Sequence, residues 1–119
     1  SNLGNAYAVS RRLEEAEQAF RRAMELDPRE PKARNNYGNV LAERGRLPEA
    51  AQQYEVALRL RADNPEAHMN LAVVLVQLGR NDAAREHLET ALRQRPNYPE
   101  AARLMKRLSG EGAEPVQPR

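Results

Sequence analysis

The sequence predicts an all-α fold, a solenoid of stacked helical hairpins. Three observations predict it: a 34-residue internal period, paired apolar stripes of helical spacing within each period, and proline and glycine where such helices would begin and end. Composition agrees. The 119 residues are 40% hydrophobic but only 4% aromatic, with no tryptophan, so a core must rely on Ala, Leu and Val. Ala, Leu, Glu and Arg lose little rotamer freedom in a helix, and the chain is rich in them.

The period is read without gaps. Leu3-Gly4-Asn5-Ala6-Tyr7, Tyr37-Gly38-Asn39-Val40-Leu41 and Leu71-Ala72-Val73-Val74-Leu75 start 34 residues apart. The register continues through Ala16, Ala50 and Ala84, then Phe20, Tyr54 and Leu88, then Ala23, Ala57 and Ala91, then Met24, Leu58 and Leu92. Small residues at the alanine and Gly4/Gly38/Ala72 columns would let helix backbones approach closely, and the larger residues would fill the space left.

Within each copy a break separates two helical stripes. Gly45-Arg46-Leu47-Pro48 combines a residue suited to the left-handed end of a helix with a proline suited to the next first turn. Gly79 repeats the first role, and Asp82 is the expected N-cap of the following helix. The first copy offers Ser10-Arg11 instead, a turn expected to be less stable by up to ~1 kcal/mol for want of glycine. Pro31, Pro65 and Pro99, again 34 apart, open new copies. Helices are therefore expected at about 1–10, 14–26, 31–44, 48–61, 65–78, 82–94 and 98–108, with 109–119 a disordered tail lacking apolar periodicity.

These columns resemble the tetratricopeptide repeat. Leu3-Gly4, Tyr7, Ala16, Phe20, Ala23 and Pro28 match its signature, as do Tyr37-Gly38, Leu41, Ala50, Tyr54 and Ala57, and Leu71-Ala72, Leu75, Ala84, Leu88 and Ala91. Departures are Arg34 and His68 in the column that favours Trp, Ala72 for Gly, and Ala62 for Pro. The resemblance implies an α-solenoid of three helix-turn-helix repeats, about 1–30 (truncated), 31–64 and 65–98, with a capping helix at 98–108. That helix would turn Ala101, Leu104, Met105 and Leu108 to the stack. The resemblance also implies that the first helix of each hairpin lines a concave groove binding a peptide of a partner protein. By that orientation Asn2, Asn5, Val9, Lys32, Asn35, Asn36, Asn39, Glu43, Glu66, Met69, Asn70, Val73 and Gln77 would face the groove, with Arg103 and Arg107 closing one end.

Asparagine is a poor helix former, yet Asn2, Asn36 and Asn70 share one column and Asn5 and Asn39 another. An amide offers donor and acceptor together, which suits a peptide backbone, and the ladder resembles that of the O-linked N-acetylglucosamine transferase superhelix. Bridging between neighbouring helices accounts for it equally. The family's carboxylate clamp is not expected: Asn5 and Asn36 stand where its asparagines would, but Ser1, Glu66 and Asn70 replace its cations.

Other functions find little support. Charge is near balance at +2, with acids among the bases, against a nucleic-acid footprint. Without cysteine there is no disulfide or thiolate chemistry. The longest apolar run, Leu71–Val76, is far short of the ~20 residues of a membrane span. His68 and His87 sit in different columns without a partner at ligand spacing and read as packing or surface residues. Tyr7, Tyr37, Tyr54 and Phe20 read as core, and runs such as Arg21-Arg22 as solvated faces. No phosphate loop or catalytic set appears, so the expectation is a non-catalytic scaffold without metal or cofactor. Two alternatives stand beside it: self-association through an uncapped N-terminal hairpin, and a regulatory segment of a larger enzyme such as a glycosyltransferase. The opening residues look like the interior of a longer protein. With no targeting segment in this stretch, a cytoplasmic location is favoured, and the Arg/Ala richness suggests a GC-rich bacterial source.

Overall fold

The computed structural model describes residues 2–110, with side chains from residue 9 onward. The helices are α1 (Asn2–Leu26), α2 (Pro31–Glu43), α3 (Leu47–Leu60), α4 (Pro65–Gln77), α5 (Asn81–Gln94) and α6 (Pro99–Leu108). They form two compact units, Ser1–Ala62 and Asp63–Arg119. In the first, α2 and α3 pair and α1 packs on α2; in the second, α4 and α5 pair and α6 packs on α5.

From α2 onward each helix lies within a residue of its expected place, because the punctuation is physical. Pro31, Pro65 and Pro99 are each the first residue of a helix, where a missing N–H costs nothing. Asn64 accepts a hydrogen bond from the Ala67 amide, and Glu30 from the Lys32 amide, satisfying donors the helix leaves open. Gly45 and Gly79 take φ of 81° and 82°. Each closes its helix with a paired bond: Arg46 N–H to Leu41 O with Gly45 N–H to Ala42 O, and Arg80 N–H to Leu75 O with Gly79 N–H to Val76 O.

Two expectations are corrected. The break at Ser10-Arg11 is absent, and α1 runs unbroken for 25 residues. The position equivalent to Gly45 and Gly79 is Arg11, for which the left-handed conformation is costly, so the helix continues. Asp82 is not an N-cap: Arg80 holds that place without a side-chain bond, and Asp82 sits in the first turn beside Arg85 at 3.4 Å. Ser109 is the C-cap of α6, its hydroxyl lying 3.1 Å from the Met105 carbonyl and 3.0 Å from that of Lys106, and Gly110 follows with a φ of 88°. The rest of the expected tail, 111–119, lies outside the described residues, as does the side chain of Tyr7.

The core follows the columns. Ala50, Ala57, Ala84 and Ala91 are fully buried, as are Leu71, Ala72 and Leu88. A Cβ on Gly38 would lie 2.7 Å from the Tyr54 ring, so this glycine is what lets α3 lay a tyrosine flat on α2. In the second unit the same pair is Ala72 and Leu88, a larger floor under a smaller cover. In the first copy the equivalents, Gly4 and Phe20, lie on one continuous helix, roughly 24 Å apart along its axis. They cannot meet, and Phe20 is only half-buried.

One buried charge ties the first unit together. Glu17, 4% exposed, accepts from Arg21 at 2.9 Å, Arg44 at 2.9 Å and Arg46 at 3.1 Å. Arg21 Nε also donates to the Tyr37 hydroxyl, so it is not simply a solvated residue as its run suggested. Arg46 further grips Glu49, whose carboxyl is held below the usual range by that contact.

Three outcomes follow. Gly38→Ala is expected to destabilise the protein by about 1–3 kcal/mol through overpacking, and by clearly less in a Tyr54→Leu background, measured by urea unfolding as a double-mutant cycle. Glu17→Gln, which leaves three arginines without their shared carboxylate, is expected to cost about 2 kcal/mol or more in the same assay. Glu15→Gln, which breaks the exposed Arg11–Glu15 pair, should change stability by under about 0.5 kcal/mol.

Candidate functional site

A hollow of about 420 Å³ opens on the second unit between α4 and α6. Met69, Val73, Val76 and Gln77 supply one wall, and Glu100, Arg103, Leu104 and Arg107 the other. Spacing explains the arrangement. Met69, Val73, Val76 and Gln77 recur at three- and four-residue steps on α4, as Glu100, Arg103, Leu104 and Arg107 do on α6. Fully buried Ala101 lets α6 sit close to its neighbour, while Leu104 stays half-buried in the hollow. Val73, in the middle of α4, is 37% exposed.

The structure thus brings together five of the expected site residues: Met69, Val73, Gln77, Arg103 and Arg107. Arg103 and Arg107 are exposed, and neither side chain has an ion pair or hydrogen bond among the described residues. Three further lining residues were not anticipated. Val76 belongs to the apolar run of α4, Leu104 was assigned to packing alone, and Glu100 lies one turn before Arg103. Extending the α6 face of Arg103 and Arg107 back one turn would have found Glu100.

Other expected residues have different surroundings. Glu66 is bonded to Arg95, whose guanidinium also lies 4.7 Å from the Tyr98 ring centre. Asn39 is exposed, but its side-chain oxygen accepts a hydrogen bond from Tyr54. Bridging between helices is therefore the structural role of this asparagine, and where Val73 replaces Asn39 in the next copy, Leu88 replaces Tyr54. Asn35, Asn36 and Asn70 are half-buried, whereas Lys32, Glu43 and Gln77 are exposed. Val9 is 52% exposed on α1. The side chains of Asn2 and Asn5 lie outside the described residues.

The two histidines do find each other. His68 on α4 and His87 on α5 face one another, Nδ1 to Nδ1 at 2.9 Å, with ring centres 5.2 Å apart. One nitrogen donates and the other accepts. Separate columns concealed this contact, because it joins the first helix of the hairpin to the second rather than one copy to the next. Among the described residues no group of three or more His, Cys, Asp or Glu gathers as a metal site would require. No helix among them is long and apolar enough to cross a membrane.

Burial, with the Glu43 charge adding to it, raises the Tyr54 phenol well above its usual range. The fold therefore holds the neutral phenol. This stability is fully present below the unfolded-state value of about 10 and is lost as pH rises above it. The urea midpoint is expected to fall between pH 8 and pH 10.5, and to fall less in Tyr54→Phe. At pH 8 that variant should lose only about 0.5–1.5 kcal/mol, because exposed Asn39 can turn to water.

The family description "tetratricopeptide repeat" matches residues 1–65 and, in a second form, residues 41–108. Among solved structures the chain is similar to the first TPR of Spaghetti (RPAP3) bound to the HSP90 peptide SRMEEVD. The TM-score is 0.81 at 21% identity, covering 91% of this chain and 86% of that one. It is similar to YrrB, described as a TPR protein with an unusual peptide-binding site, with a TM-score of 0.76 at 26% identity, covering 87% of this chain and 54% of that one. It is also similar to the Arabidopsis OM64 TPR domain, with a TM-score of 0.79 at 22% identity, covering 88% and 87%. No curated protein matches the sequence.

Proposed function

The chain belongs to the tetratricopeptide repeat family, and we propose that it is a non-catalytic module that binds a peptide segment of a partner protein, seated in the hollow between α4 and α6. One observation carries the reading. An open recess floored by Met69, Val73, Val76 and Leu104 leaves apolar surface at hand while two guanidiniums stand at its rim. Pockets that combine an apolar floor with a few polar groups suit a side chain plus its flanking backbone. Two of the similar structures are described by the peptides or peptide site they carry, which supports the same class of ligand here. On α2, Lys32, Asn35, Asn36 and Glu43 are the candidate contacts of the first unit. Asn39 keeps its amide hydrogens and one lone pair of its oxygen for a ligand, the other lone pair being taken by Tyr54.

The test is peptide display against the immobilised protein, followed by affinity measurement of the selected sequences. Val73→Arg, which fills the hollow from an exposed position, is expected to weaken selected peptides by about tenfold or more while leaving helicity unchanged by circular dichroism. Arg59→Glu, on an exposed position of α3, should leave affinity within about twofold. Selected peptides that bind Val73→Arg as well as the parent would exclude the hollow as their seat.

A further inference from the structure

We propose that the occupant of the α4–α6 hollow is an acidic amphipathic segment of a partner. Its apolar side chain sits on Met69, Val73 and Leu104, and the side-chain carboxylates that follow reach Arg103 and Arg107. This rests on the peptide-binding reading above and adds the chemistry of the ligand.

The charge pattern supplies the reason. Several arginines that join helices are matched to carboxylates, Arg44 and Arg46 to Glu17 and Arg95 to Glu66, while Arg34 reaches the Gln53 amide oxygen and Arg85 the Leu108 carbonyl. Arg103 and Arg107 have no such match among the described residues, although both border an apolar recess. They are one helical turn apart, about 6 Å along the axis, a spacing that two acidic side chains of one short segment can span. Guanidinium presents a planar fork that fits carboxylate in pairs and is more weakly hydrated than an ammonium. Arg107 also lies in the last turn of α6, where a cation complements the helix dipole, but Arg103 lies a full turn earlier and gains little from that effect.

Glu100 completes the pattern. It stands one turn before Arg103 on the same wall of the hollow. It repels an acidic group at that end and accepts a cation or an N–H there. The wall therefore grades from negative at Glu100 to positive at Arg107, which gives the bound segment a direction: its acidic end lies toward Arg107. Because the carboxylates are on side chains, no chain terminus is needed.

The experiment uses labelled nonapeptides with amidated C-termini, a leucine at the second position, and glutamate, glutamine or lysine at the sixth and ninth, about one and two helical turns beyond it. Fluorescence anisotropy against the full chain is expected to show the glutamate peptide binding about tenfold tighter than the glutamine one, and the lysine peptide weakest. Arg103→Gln with Arg107→Gln should reduce the glutamate preference to under about twofold, and Glu100→Gln should strengthen the glutamate peptide. Val73→Arg should weaken all three peptides. If all three bind equally and are lost together in Val73→Arg, the acidic assignment is overturned while peptide binding in the hollow stands. If no nonapeptide binds and display also selects none, both readings fall. Self-association that disappears in the Arg103→Gln, Arg107→Gln variant would identify a second copy as the occupant and overturn a partner segment. Tighter peptide binding by a chain ending at Gly110 would likewise overturn it in favour of the chain's own Glu111–Arg119.

Discussion

Close approach between the two helices of a hairpin is the constraint on which the rest depends. Alanine at Ala50, Ala57, Ala84 and Ala91 leaves no side chain to hold the backbones apart, and all four are fully buried. The space that remains is then settled pair by pair. Gly38 admits the whole tyrosine ring of residue 54, whereas Ala72 leaves room for Leu88. These are two solutions to one volume problem, and cores tolerate such exchanges when the total volume is kept. Only when the hairpin closes does its first helix present an outward row of side chains, and in the second unit that row is one wall of the hollow.

Helix ends hold this geometry in register. A proline opens α2, α4 and α6, and a left-handed glycine closes α2 and α4, so the turns are determined locally rather than by the packing they enable. Where the glycine is missing, at Arg11, the hairpin does not form, and Phe20 loses the surface its counterparts cover. The first unit meets this with electrostatics. Glu17 takes the column that Ala51 holds in the next copy, and three arginines converge on it. A buried carboxylate is expensive unless it is fully paired, so this contact fixes where α1 can dock as much as how strongly.

How far the sequence could be read follows from how local each cause is. Helix starts and stops after residue 30 were legible because proline and glycine act through their own backbone. The columns showed which residues would be buried, since periodicity reports a face directly. Periodicity could not report pairings across columns. The His68–His87 contact, the four-residue cluster at Glu17 and the bond from Tyr54 to Asn39 each join residues of different register. Of the candidate site, Met69, Val73, Gln77, Arg103 and Arg107 were found through family orientation, but their convergence depends on how closely α6 seats at Ala101, which only coordinates reveal. The continuous α1 was missed because a weak turn was expected where the chain had the choice of none.

The bond from Tyr54 to Asn39 has a consequence for how this scaffold can diversify. An outward-facing amide and an inward-facing phenol share one proton between them, so interior and exterior are not independent layers at this column. Exchanging the amide for an aliphatic group strands the hydroxyl, and the economical route is to change both at once, as the Val73 and Leu88 combination illustrates. Exchange at this column is therefore a change of two residues at once rather than of one side chain at a time.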